Sequence, residues 1–213
     1  MNYDYLKSPC HQKRISIVAK ELRRHHCNKN NLSIGCGNGA IEKQFPGNFI
    51  GLDINKTKKP HIPVTIGKAE DLLNIFNENQ FGAIFIGETL EHIYDTNKII
   101  SDMSHILKRN GILIITVPNL ISLRARIRCL FGKTPRQATG YLENEHLYGH
   151  IRHFGKGSIT SLLKKHKFKI LKVSTPSLSY NPFSSNSKQE ILNVPIFLSG
   201  LGNNLIITAR NQK

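Results

Sequence analysis

The sequence predicts an α/β protein built on a doubly wound, mostly parallel sheet, and three observations carry the prediction. Short apolar segments alternate with helix-like ones along most of the chain, the pattern of a parallel sheet with right-handed crossovers and helices on both faces. One of those segments, residues 81–87, is nearly all apolar, as a strand covered on both sides must be. Finally, Gly37, Asp53 and Glu88 all fall where strands should end, and open α/β sheets bind ligands outside the carboxyl ends of their strands.

Taken in order, residues 11–25 read as an amphipathic helix, with Ile15, Val18, Ala19 and Leu22 on one face. A polar turn at 28–31 leads into the first strand. That strand runs into Gly35, Gly37 and Gly39, and a helix-like stretch follows. Alternating glycines permit positive φ and close approach of a ligand to the main chain, and a helix N-terminus beside them offers free N–H groups. The dinucleotide-binding fingerprint would place its third glycine at position 40, where Ala40 stands, so this loop is of a different kind. The second strand, 48–52, delivers Asp53 about twenty residues after the loop, the spacing at which a βαβ unit presents a carboxylate to a ribose diol. Residues 62–66 form a third strand that Pro63 demotes to an edge. A short helix at 72–76 and the strand at 81–87 come next. A helix at 95–107 has Asp95 as its N-cap, and Asn110-Gly111 turns into a fifth strand at 112–117, stopped by Pro118.

The pattern then breaks. Residues 120–130 read as a helix carrying Arg124, Arg126 and Arg128, followed by a Gly/Pro/Thr-rich loop and a histidine-dense stretch from His146 to Phe154. A helix at 158–165, a strand at 168–173, a variable segment at 175–202 and a last strand at 205–209 complete the chain.

Five blocks together resemble the class I S-adenosylmethionine-dependent methyltransferases. They are residues 32–40, Gly51-Leu52-Asp53, Gly67-Lys68-Ala69-Glu70-Asp71-Leu72, Gly87-Glu88-Thr89-Leu90-Glu91-His92-Ile93, and Leu107-Lys108-Arg109-Asn110-Gly111 leading into the fifth strand. They stand in the family's order over roughly residues 30–120. The resemblance implies a Rossmann-like sheet of seven strands with the last one antiparallel, S-adenosyl-L-methionine as cofactor, and a subgroup with a Leu-Glu-His block acting on small molecules. It implies cofactor contacts from Ser33, Gly35, Gly37 and Gly39 at the methionine end, Asp53 at the ribose, Ala69 and Glu70 at the adenine, and Glu88 near the sulfonium. The first helix, within residues 1–30, would close over the cofactor, with Tyr3 and Tyr5 as lid candidates, and the insertion at 119–156 would bind substrate.

Two positions depart from the family pattern. Ser33 and Lys68 stand where an acid is common, and a lysine side chain donates only, so it cannot accept from the adenine amine. For the proton of the methyl acceptor, His92 and His150 are the candidate bases, and Arg152 is a candidate clamp for a phosphate or carboxylate. His146, His150, Arg152, His153 and Phe154 resemble a His-x-Arg-x-Phe stretch in a subgroup, with Lys167-Phe168 in place of its Gly-Phe turn. A metal reading of the histidines lacks a carboxylate placed to complete the site.

The chain has 213 residues, enough for one domain with a sizeable core, and neither repeats nor a second domain are apparent. Thirty Lys and Arg against fourteen Asp and Glu give a net charge of +16, a surface suited to anionic partners. The excess is spread along the chain. Four scattered cysteines, the lack of a signal-peptide pattern at the N-terminus and the lack of an apolar run of about 20 residues predict a cytoplasmic protein with no transmembrane segment. The expected activity is methylation, at oxygen, of a small-molecule, lipid- or sugar-linked acceptor carrying negative charge. A nucleic-acid-directed methyltransferase is the alternative that the +16 charge invites, but no aromatic stripe accompanies the basic residues and the Asn-Pro-Pro-Tyr-type block is absent. A methyltransferase-like binding module without turnover is the third reading, motivated by Ser33 and Lys68.

Overall fold

The computed structural model describes residues 8–27, 30–138, 149–179, 181, 190–191 and 193–213. Tyr3, Tyr5 and His146 lie outside the described residues. Seven strands form one sheet: β1 (Asn31–Ile34), β2 (Phe49–Asp53), β3 (Val64–Ile66), β4 (Phe81–Gly87), β5 (Leu107–Pro118), β6 (Phe168–Ser174) and β9 (Asn204–Asn211), in the order β3-β2-β1-β4-β5-β9-β6. The first five pair in parallel, and β9 inserts antiparallel between β5 and β6. The strand order reverses at β1, beside β4, which is the switch point where such sheets bind ligands. The two-residue strands β7 (Leu178–Ser179) and β8 (Glu190–Ile191) form a separate ribbon.

Side chains on each strand alternate between two cores, as the period of two demands. Leu32, Ile34, Ile84, Ile86, Leu113 and Ile115 meet α2 (Leu72–Ile75), α3 (Thr96–Ile106) and α5 (Lys156–Lys165) on one face. On the other, Ala83, Phe85, Ile112, Ile114 and Ile206 meet α1 (Pro9–Arg24) through Ile15, Val18, Ala19 and Leu22. Each fully buried aliphatic there contributes about 1.5–3 kcal/mol relative to exposure. Ser8 caps α1 by accepting from the His11 N–H, and Asp95 caps α3 by accepting from the Lys98 N–H at 2.9 Å. No described helix is long and apolar enough to cross a membrane.

Two local expectations are corrected. The helix-like stretch after the glycine loop is only a 3-10 turn, Glu42–Gln44. Phe45, preceding Pro46, is held in the extended region, and the chain cannot continue helically through it. The fifth strand starts earlier than residue 112: Phe81 pairs with Leu107, and the next pair is Ala83 with Ile112. The Asn110-Gly111 turn survives as an irregularity inside a longer strand, with Asn110 at φ 62°. Pro63, as expected, keeps β3 short and at the sheet edge.

Candidate functional site

A cleft of about 1510 Å³ opens over the carboxyl ends of β1, β2 and β4. It exceeds the few hundred to ~1,000 Å³ of a typical single-ligand pocket, so it has room for two ligands side by side. One end is built by the glycine loop. Gly35 adopts φ +72°, and a Cβ there would stand 2.1 Å from Thr89 Oγ1, so only glycine lets the β4 turn close against it. Gly37, at φ 57°, donates its N–H to Asp53 Oδ2 at 2.8 Å, while Asp53 Oδ1 accepts from the Asn55 N–H at 2.9 Å. The Asp53 carboxylate is thereby fixed at the rim, and each oxygen retains lone-pair capacity for a pair of hydroxyls.

Ser33 is 1% exposed, does not line the cleft, and donates to Glu42 Oε1 at 2.7 Å. Glu42 does line it. Its other oxygen, Oε2, is buried and accepts no hydrogen bond among the described residues, and burial raises its pKa above the usual carboxylate range. Ser33 is thus tied to a carboxylate nine residues later, in the 3-10 turn. Nothing in the sequence signals this, because the link exists only once the turn folds back on β1.

Glu88 lines the cleft at the β4 carboxyl end, with φ 50°, a strained conformation for a residue with a side chain. Arg14 of α1 approaches Glu88 Oε1 at 3.3 Å, and Asn204 donates to its Oε2 at 2.9 Å. With His11, Arg14 brings the first helix onto the cleft. Desolvation, with Arg14 nearby, lowers the His11 pKa to about 4.

The other end is a cluster of Glu91, His92 and His150. Gly149 O accepts from His92 Nδ1 at 3.1 Å, and the N–H groups of Ile151 and Arg152 both donate to the Glu91 carbonyl at 3.0 Å. These links dock the 149–152 segment on the Leu-Glu-His turn and bring the His92 and His150 rings to 5.0 Å between centroids. His150 Nε2 lies 3.9 Å from Glu91 Oε1. Desolvation, with His92 and His153 nearby, lowers the His150 pKa to about 4, and desolvation reinforced by Glu88 raises that of Glu91 to about 8. Both shifts run against an ion pair between Glu91 and His150.

Among the expected site residues, Gly35, Gly37, Asp53, Glu88, His92 and His150 line the cleft, whereas Ser33, Gly39, Ala69, Glu70 and Arg152 do not. Ala69 packs on the core, and the Glu70 carbonyl accepts from Lys98 Nζ at 2.5 Å. The Arg152 guanidinium donates from Nε to the Tyr94 carbonyl at 2.9 Å and lies 5.0 Å from the Tyr94 ring centroid, which places it away from the expected clamp. Arg124 and Arg128 of α4 (Leu123–Leu130) also line the cleft, with Lys56, Lys58 and Lys59. Of the histidines in the 146–154 stretch, His150 has a carboxylate beside it, that of Glu91, with His92 as the third member of the cluster.

A family model described as a methyltransferase domain matches residues 32–115. An uncharacterised protein of Methanocaldococcus jannaschii is 36% identical over 101 residues, which cover 45% of this chain and 48% of that protein, so the chain spans about half the length of the curated relative it matches. Among solved structures, an S-adenosylmethionine-dependent methyltransferase of Thermotoga maritima is similar with a TM-score of 0.64 at 20% identity, covering 94% of this chain and 91% of that one. The N-methyltransferase NodS of Bradyrhizobium japonicum, in complex with S-adenosyl-L-homocysteine, is similar at 0.60 and 13% identity, covering 99% and 92%. Both likenesses concern the fold.

Proposed function

We propose that the chain, whose residues 32–115 match a methyltransferase-domain model, is a class I S-adenosylmethionine-dependent methyltransferase that methylates an oxygen of an anionic small-molecule, lipid- or sugar-linked acceptor. The observation that carries this reading is a single cleft joining the Gly37–Asp53 end to the Glu91–His92–His150 end. S-Adenosylmethionine supplies an electrophilic methyl group when bound, which leaves to the protein the tasks of binding, alignment and proton handling.

The residues fit that cofactor. The loop around Gly35 and Gly37 leaves backbone exposed for close approach, and the Asp53 carboxylate suits a ribose diol. Glu42, with a buried oxygen in want of a donor, suits the ammonium of the methionine portion and takes over from Ser33. Gly39 supports the loop from beneath, where a Cβ would stand 2.4 Å from Ile62 Cγ1. Adenine recognition falls to groups other than Ala69, Glu70 and Lys68, none of which lines the cleft.

At the acceptor end, neutral His150 and its neighbour His92 offer ring nitrogens to a hydroxyl, and Arg152 acts indirectly, anchoring the segment that carries His150 to Tyr94. Arg124, Arg128 and the lysines at 56, 58 and 59 favour a phosphate or carboxylate on the acceptor. Helix α1 serves as the cover over the cleft, the segment following β5 as its substrate side, and Cys10, Cys27, Cys36 and Cys129, none of them in a disulfide, suit a reducing cytoplasm.

Calorimetric titration with S-adenosylmethionine and S-adenosylhomocysteine tests the reading, with Asp53→Ala as control. Saturable binding weakened in the variant supports it and justifies an acceptor screen beginning with phosphorylated and lipid-linked sugars. No binding by folded protein at high micromolar cofactor would sink it.

A further inference from the structure

We propose that Glu91, His92 and His150 form a divalent-cation site at the acceptor end of the cleft. One ligand atom from each of the three lies within 4.8 Å of the others. Metal–nitrogen and metal–oxygen bonds of about 2.0–2.2 Å set neighbouring ligand atoms roughly 3–3.5 Å apart, so the three need draw together by less than about 2 Å.

Two further observations point to a ligand. The Glu91 side chain is 1% exposed, yet neither carboxylate oxygen accepts a hydrogen bond among the described residues, although both are buried. Buried carboxylates without donors are rare, and a coordinated cation satisfies them. The Gly149 carbonyl accepts the His92 Nδ1 hydrogen at 3.1 Å, which fixes the tautomer that leaves the Nε2 lone pair for coordination. An outer backbone acceptor of this kind is the usual support of a metal-bound histidine. The 149–152 segment is held to the Leu-Glu-His turn by two main-chain hydrogen bonds and one from the His92 ring, so His150 reaches the cluster on a fixed piece of chain.

Two imidazoles and one carboxylate select a zinc-, manganese- or iron-like ion over calcium or magnesium, which prefer all-oxygen shells. Three protein donors on a cleft wall leave further positions open, as at catalytic metal centres. There an oxygen donor of the acceptor fits, and a hydroxyl held so gives up its proton to solvent more readily. This use of the site rests on the proposed methyl transfer to oxygen, whereas cation binding itself does not.

The test is calorimetric titration of chelator-stripped, full-length protein with Mn²⁺, Zn²⁺ or Mg²⁺ alone, without cofactor. One equivalent of Mn²⁺ or Zn²⁺ should bind in preference to Mg²⁺. Affinity should fall about tenfold or more in Glu91→Gln, His92→Ala and His150→Ala. His150 lies on a loop, so His150→Ala keeps the test informative even where Glu91→Gln fails to fold. Asp53→Ala should bind the cation as wild type does. Folded wild type that takes up no stoichiometric cation, or binding indifferent to His92→Ala and His150→Ala, overturns the inference. Cofactor binding without cation binding would leave the proposed function standing and remove only this site. Cation binding without cofactor binding would do the reverse.

Discussion

Ser33 Oγ donates to Glu42 Oε1 at 2.7 Å, so a buried serine holds a glutamate nine positions on at the edge of the cleft. The serine is too short to reach the cleft and orients the carboxylate that does. Glu42→Gln should weaken S-adenosylmethionine binding about tenfold or more, the worth of a charge-assisted hydrogen bond of roughly 1.5–3 kcal/mol. Ser33→Ala should cost less, because it loosens the carboxylate without removing its charge. Titration with a cofactor analogue lacking the methionine amino group checks the assignment. That analogue should bind wild type and Glu42→Gln alike, and a persistent difference would place Glu42 elsewhere.

The contact of Gly35 with Thr89 gives a second prediction. A Cβ at 35 meets Thr89 Oγ1 at 2.1 Å, and the backbone φ of +72° is itself unfavourable for alanine. Gly35→Ala should lower stability by about 2–4 kcal/mol in denaturant unfolding. Adding Thr89→Ala should recover part of that loss, leaving about 1–2 kcal/mol for the left-handed backbone. Equal losses in the single and double variants would show that the clash is not what excludes a side chain.

Much of this was legible in sequence wherever the signal was local. The apolar run of β4, the Pro63 edge, the Asp95 cap and the placing of Asp53 each depend on a few neighbouring residues, and each stands as expected. What escaped was non-local or competitive. The Phe45-Pro46 step stops the helix that the stretch after the glycine loop predicts. The pairing of Ser33 with Glu42 depends on how a 3-10 turn packs against β1. Arg152 and Glu91 exchanged prominence because main-chain links around the Glu91 carbonyl, invisible in residue types, decide which side chains face the cleft.

The arginines of α4 set the acceptor's charge in the proposed reaction. Arg124→Gln with Arg128→Gln should raise the acceptor's KM about tenfold and flatten its dependence on salt, while the Kd for S-adenosylmethionine stays within about twofold. Steady-state kinetics at two ionic strengths, beside cofactor titration, separates the effects. Loss of cofactor affinity instead would put these arginines at the cofactor.

Acid should destabilise the fold through its histidines, and the sign follows from their burial. His11, His25, His150 and His166 all have pKa values lowered from 6.5, first by desolvation, with His11 at about 4. Each is neutral in the folded state where the unfolded chain already binds a proton, so stability is full above 6.5 and falls as pH drops toward 4. Glu42 and Glu91 work the other way. Their raised values keep protons in the folded state that the unfolded chain releases above 4.5, which costs stability as pH rises from there. His11→Gln removes one histidine contribution without touching the carboxylates. From pH 7 to pH 5 the variant should therefore lose less stability than wild type, by on the order of 1 kcal/mol once partial exposure is allowed for. Denaturant unfolding of both proteins at the two pH values measures the difference. Parallel losses would mean that His11 is as easily protonated in the fold as outside it, and that α1 leaves water free to reach this edge of the cleft.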